Sequence, residues 1–155
     1  MKAIEIQAPK PLKDDERIKI FLAGSIEMGK AENWQDKIVK ELAKYPIQFL
    51  NPRRDDWDSS WEQKIENKQF NEQVSWELNG LEEADFIIMY FDPKTKSPIS
   101  LLELGLYAKC EPEKLVVLCP DGFWRKGNVD IVCDKYEVKQ VDNMDDLIEL
   151  FKTNK

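Results

Sequence analysis

The chain has 155 residues, enough for one domain with a sizeable core, and its 42% apolar and 34% charged content is that of an ordinary globular protein. A formal net charge of -7 opposes the basic surface that a nucleic-acid backbone requires, while leaving room for a pocket that takes one small anion. Histidine is absent, which removes every Ser-His, Cys-His and His-metal mechanism and leaves acid–base chemistry to carboxylates, lysines, tyrosines and cysteines.

Residues 1–16, with Pro9, Pro11 and the acidic run Asp14-Asp15-Glu16, read as a loose arm ahead of a single domain over 17–155. "IKIFLAGS" (18–25) is an apolar run closed by Gly24-Ser25, the pattern of a buried strand and turn. Residues 31–45 carry Trp34, Ile38, Leu42 and Tyr45 at helical spacing. "IQFLNP" (47–52) is a short strand stopped by Pro52, and "RRDDWDSSW" (53–61) is a polar, aromatic loop. Residues 62–83 read as a helix and "ADFIIMYFDP" (84–93) as a buried strand. Residues 97–109 read as a helix with Ser97 at the N-cap and Pro98 at the first helical position. "KLVVLCP" (114–120) is a further buried strand, "GFWRKGN" (122–128) a loop, "KYEVKQV" (135–141) a half-exposed strand and "MDDLIELFK" (144–152) a closing helix.

Strands thus alternate with helices, and the strands are continuous apolar runs. That pattern predicts a doubly wound, mainly parallel five-stranded α/β sheet with helices on both faces. Ligands on such a sheet bind beyond the carboxyl ends of the strands near the switch point, so the loops that begin at Gly24, Asn51, Asp92 and Pro120 are the ones to follow. No N-terminal apolar h-region and no apolar stretch near 18 residues occurs, so neither secretion nor membrane spanning is expected. Cys110, Cys119 and Cys133 are widely spaced, with no CxxC pair. Neither a zinc site nor a disulfide framework is expected, a reducing cytoplasm fits, and Cys119 reads as core filling. No metal or cofactor is expected.

Two carboxylates fall where carboxylates are costly. In "SPISLLELGLYA" (97–108), Ile99, Leu102, Glu103 and Leu106 follow helical spacing, with Leu101, Leu104 and Ala108 alongside. In "FNEQVSWELNGL" (70–81), Glu77 lies on the stripe of Phe70, Val74, Leu78 and Leu81. A buried, unpaired carboxylate costs several kcal/mol, so each is paired, protonated or used. Glu103 reads either as a buried glutamate with a backbone or lysine partner or as a functional group behind the loop "DPKTKS". Glu77 reads either as a rim residue or as its companion. Paired carboxylates without histidine suit glycosidic-bond chemistry, in which one attacks an oxocarbenium-like centre and the other handles a proton. Gly24 and Ser25 form either an ordinary turn or a cradle of backbone N–H groups for an anion or sugar oxygen. Arg53, Arg54, Asp55 and Asp56 beside Trp57 and Trp61 form either a solvated loop or a polar site with an aromatic wall for a planar base. Asp92, at a strand end, is a further binding candidate or merely a turn cap.

The segments "IFLAGSIEMG", "NPRRDDWD", "QVSWELNGLEEADFIIMYF", "SPISLLELGLYA" and "GFWRKGNV" stand in order along the chain. Together they resemble the nucleoside 2-deoxyribosyltransferase family in its deoxyribosyltransferase-like branch, from about residue 18 to residue 138. The related 2'-deoxynucleoside 5'-phosphate N-hydrolases share the "GSI" turn and the "ELG" helix. The resemblance implies a flavodoxin-like fold and a retaining, two-step exchange of bases between 2'-deoxynucleosides, with a free nucleobase as acceptor. It makes Glu103 the nucleophile and Glu77, where transferases carry an aspartate, the group that assists the nucleophile and the leaving base. Asn128 matches the asparagine that reaches a neighbouring subunit's sugar 5'-hydroxyl, which implies a homo-oligomer with shared sites. Ser97 holds the place of a sugar-binding aspartate, as in the N-hydrolases, where a serine meets the 5'-phosphate. Phe21 replaces a tyrosine that hydrogen-bonds the nucleophile. Asp55 or Asp56 would read the base. Hydrolysis of deoxynucleosides or their monophosphates, and a non-catalytic nucleotide-sensing module, are the competing readings.

Overall fold

The computed structural model of the chain describes residues 1–26, 33–54, 58 and 60–153. In chain order it holds β1 (Ile4–Gln7), β2 (Ile18–Gly24), α1 (Trp34–Glu41), β3 (Ile47–Asn51), α2 (Lys68–Glu83), β4 (Phe86–Tyr90), α3 (Pro98–Cys110), β5 (Leu115–Leu118), α4 (Lys126–Lys135), β6 (Lys139–Val141) and α5 (Met144–Thr153). A short 3-10 turn, Pro112–Lys114, leads into β5.

The strands form one sheet in the order β1-β3-β2-β4-β5-β6, every adjacent pair parallel. Without β1, the order is the doubly wound 2-1-3-4-5 arrangement of flavodoxin-like sheets. Alternation along the strands splits the core into two layers. Ile20, Leu22 and Ile88 pack with Trp34 and Ile38 of α1 and Leu147 and Phe151 of α5. Phe21, Ala23, Ile87 and Met89 face Leu81 of α2, Leu104 and Tyr107 of α3 and Val129 of α4. Because both faces are covered, the central strands read as continuous apolar runs.

The sheet has six strands, not five, because Ile4–Gln7 adds to the β3 edge in parallel register from within the segment expected to be a loose arm. Residues beyond it stay attached: Lys13 N–H donates to Gln48 Oε1, Gln48 Nε2 donates to the Lys13 carbonyl, and Trp76 Nε1 donates to the Lys10 carbonyl. α2 starts at Lys68, six residues after the expected start, where Asn67 Oδ1 accepts from the Phe70 N–H as an N-cap. The expected loop over 122–128 runs into α4, and only Lys139–Val141 of the expected strand 135–141 is strand. The predicted face of α3 also differs. Ile99, Leu102 and Leu106 are exposed, while Glu103 is buried on the opposite side with Ser100, Leu104, Tyr107 and Ala108. Likewise Leu78 of α2 is exposed.

Cys119 and Cys133 are buried free thiols, pushed up to about 11 and about 12 chiefly by burial, and Cys110 is an exposed free thiol. Among the described residues no helix is long and apolar enough to cross a membrane.

Candidate active site

β2 and β4 lie side by side at the centre of the sheet, and the chain leaves their carboxyl ends for opposite faces, toward α1 and α3. Such a switch point opens a crevice. Gly24 allows the two strand ends to close tightly. Its φ is +128°, and a Cβ there would stand 2.4 Å from the Tyr90 carbonyl oxygen. Ser25 N–H donates to that same carbonyl at 2.9 Å, and the Ser25 carbonyl accepts from Trp34 Nε1 at 3.0 Å.

Three hydroxyls meet just beyond. Ser25 Oγ lies 2.8 Å from Thr95 Oγ1 and 2.5 Å from Ser97 Oγ, and Thr95 Oγ1 lies 2.8 Å from Ser97 Oγ. Asp92 N–H donates to Ser25 Oγ at 2.8 Å, and Thr95 Oγ1 reaches the Asp92 carbonyl at 3.0 Å. All four residues are buried. Ser97 precedes α3 as expected but in the left-handed region, φ +47°, without a side-chain cap; its hydroxyl turns into the cluster instead. Asp92 Oδ1 accepts from the Lys94 N–H at 2.9 Å, so this carboxylate organises the loop into α3. Thr95 was not singled out by the sequence. Its only signal was a hydroxyl within a short strand-to-helix loop.

Glu103 stands on the buried face of α3, 7% exposed, and accepts no hydrogen bond from any described residue. Phe21, fully buried on β2, offers no hydroxyl where the resemblance implies a tyrosine. Desolvation first, and the charge of Glu77 second, push the Glu103 carboxyl up to about 8. Glu77, half-buried on α2, is pushed up to about 7 by desolvation, against which a hydrogen bond from Gln73 acts. The charge of Glu77 acts on Glu103, so the two carboxylates lie near each other although they stand on different helices. Gly80, three residues after Glu77, lets α2 lie close over β2: a Cβ there would stand 2.8 Å from the Phe21 ring.

Polar side chains from the β3 end complete the wall. Gln73 Nε2 donates to the Pro52 carbonyl at 3.0 Å and to Glu77 Oε2 at 3.4 Å, and Gln73 Oε1 accepts from Arg54 at 3.2 Å. The Arg54 guanidinium lies 5.2 Å from the Trp61 ring centroid. Arg53 donates to Gln35 Oε1 at 3.2 Å. Gln73, four residues before Glu77, was missed because a lone helical glutamine carries no signal until its neighbours are known. Asp55, Asp56 and Trp57 lie outside the described residues, so the expected base-reading loop is represented by its flanks alone.

Asn128 is exposed on the first turn of α4 rather than in a loop. With Leu101, Leu104, Gly105, Trp124 and Val132 it lines a largely apolar cavity of ≈ 320 Å³ between α3 and α4. Neither that cavity nor a polar one around Asp121, Asp130 and Asp142 is lined by Glu77 or Glu103.

The chain thus holds two carboxylates raised by burial, one on α2 and one on α3, and a buried hydroxyl cluster at the β2 and β4 ends. A family model described as nucleoside 2-deoxyribosyltransferase like matches residues 17–123, a stretch that includes Gly24, Ser25, Glu77, Asp92, Ser97 and Glu103 and ends before Asn128. No curated protein matches the chain.

Proposed function

The chain belongs to the nucleoside 2-deoxyribosyltransferase-like family, and from that premise we propose that it exchanges the base of 2'-deoxynucleosides through a deoxyribosyl ester on Glu103. The observation that carries this reading is the pairing of Glu103 with Glu77, both raised by burial and the first also by the charge of the second. A glycosidic centre is served by one ionised carboxylate and one proton source, which is the singly protonated state of such a pair; because Glu103 is pushed higher than Glu77, the reactive form with Glu103 ionised and Glu77 protonated is the minor tautomer of that state.

In the first step a Glu103 oxygen bonds to C1' as the C1'–N bond breaks. The bonding pair leaves with the base nitrogen, which takes a proton from Glu77. In the second step a nitrogen of the incoming base attacks C1' from the face the first base left, the C1'–O ester bond breaks, Glu103 regains its carboxylate, and the acceptor's proton passes to Glu77. Two inversions give retention. The apolar surroundings of Glu103 protect the ester from water. Gly24, Ser25, Asp92 and Ser97 would hold the sugar end, and Asp55, Asp56 and Trp57 the base.

Asn128 would act on a neighbouring subunit's sugar. Its exposure, and the exposed Ile99, Leu102 and Leu106 on α3, support assembly into a homo-oligomer with shared sites. Hydrolysis of 5'-monophosphates is the second reading, favoured by the Ser25–Thr95–Ser97 cluster, which places no charge against a phosphate. Asn128 suits a hydroxyl rather than a phosphate, so unphosphorylated deoxynucleosides are the preferred donors.

The test compares deoxycytidine, its 5'-monophosphate and cytidine, each with and without adenine. Transfer predicts new deoxyadenosine from deoxycytidine and little reaction of cytidine, whose 2'-hydroxyl destabilises the oxocarbenium-like state. Faster turnover of the monophosphate, with deoxyribose phosphate as the only sugar product, would move the assignment to the hydrolase.

A further inference from the structure

The geometry points to Gln73 as a positioning residue that presents a fixed N–H donor to Glu77 and is itself locked by Arg54. The inference rests on the proposed role of Glu77 in proton transfer. An amide can present either end, and here two partners force the same end toward Glu77. Arg54 has only donors, so the Gln73 oxygen must face it, at 3.2 Å. The Pro52 carbonyl only accepts, so the Gln73 nitrogen must face it, at 3.0 Å. The second proton on that nitrogen is then directed at Glu77 Oε2, 3.4 Å away. Gln73 is 5% exposed, so water does not compete for these bonds.

Two consequences follow for Glu77. A donor at Oε2 leaves Oε1 as the oxygen that carries the transferable proton, which fixes the side from which a leaving base is protonated. A donor also favours the ionised carboxylate and so offsets part of the rise caused by burial. Among the described residues, Glu103 on α3 faces Glu77 by charge, and Arg54 of the β3 loop acts on it through Gln73.

The test follows the side-chain carboxyl signal of Glu77 by carbon NMR across pH, in a Glu103→Gln background that removes the coupled titration. Gln73→Leu is expected to raise the Glu77 midpoint by about half a unit or more, and Arg54→Met to raise it less, since the freed amide still offers its nitrogen part of the time. With Glu103 intact, Gln73→Leu is expected to lower kcat/KM on the order of ten-fold for poor leaving bases, to spare good ones, and to move the alkaline limb upward. An unchanged or lowered midpoint in Arg54→Met, whose site is at the surface loop, overturns the inference even if Gln73→Leu does not fold. The titration is independent of turnover, so a wild-type protein that splits no deoxynucleoside would end the proposed function while the Gln73 assignment is still decided.

Discussion

At the scale of single residues, the carboxylate of Glu103 is the costly feature. It is buried without a hydrogen-bond donor from the described residues, and a second carboxylate repels it. In the proposed mechanism the working form of the pair holds one proton. A bell-shaped kcat/KM profile is therefore expected, highest between about 7 and about 8, falling on the acid side as both groups protonate and on the alkaline side as both ionise. The same shifts bear on stability. Both folded-state values lie above the ordinary 4.5, so the folded protein retains protons that the unfolded chain has released. The contribution of these two groups to stability is fully present below pH 4.5 and is lost as pH rises through about 7 and about 8. Glu103→Gln removes the largest part of that loss. Its melting temperature is expected to match wild type near pH 4.5 and to exceed it by roughly 5 °C or more above about pH 8 in thermal scans. Equal melting temperatures at both ends of the range would show that Glu103 is not held protonated. The oddity of Glu103 was legible in the sequence, but its face was not. α3 is apolar nearly all round, so spacing alone grouped Glu103 with Ile99, Leu102 and Leu106, which point outward.

At the scale of elements, legibility followed burial. β2, β3, β4 and β5 are apolar runs between turn residues and stand close to where periodicity places them. β1 is four residues long at a sheet edge, within a segment whose prolines and acidic run suggest a loose arm, and only its pairing with β3 makes it a strand. α4 begins at Arg125–Lys126 without a side-chain cap and carries Gly127 in its first turn, so it is held by packing of Val129 and Cys133 rather than by local signals. The hydroxyl cluster was half legible: Ser25 and Ser97 stood out, while Thr95 needed the loop's path. Two glycines give opposing predictions. Gly24→Ala meets the Tyr90 backbone at positive φ and is expected to cost about 3 kcal/mol or more in chemical denaturation. Gly105, inside α3, has open space where a Cβ would stand, so Gly105→Ala is expected to leave the isolated fold unchanged or gain up to ~1 kcal/mol. The reverse order would contradict the packing described at the β2–β4 crossing.

At the scale of the whole molecule, the sheet order brings Ser25, Asp92 and Ser97 together at the β2 and β4 ends, while Asn128 lines a cavity between α3 and α4. The proposed shared site is tested by mixing subunits. Glu103→Ala and Asn128→Ala proteins, each expected to lose activity on the order of a hundred-fold or more for Glu103→Ala and less for Asn128→Ala, should regain some turnover when mixed, because one class of hybrid site carries both native groups. A fully active monomer in sedimentation would contradict the shared site. The α/β class and the parallel order of central strands were legible because each of those strands is buried on both faces; the exposed faces of α3 and α4 were not, since a buried and an exposed apolar residue look alike in sequence. The most direct test of the account is acid quenching of wild-type protein during turnover of a deoxynucleoside, followed by mass spectrometry of its peptides. The account predicts a deoxyribosyl group on the peptide containing Glu103, at Glu103 itself, whereas continued turnover with the adduct on another residue, or undiminished turnover by Glu103→Ala, would contradict it.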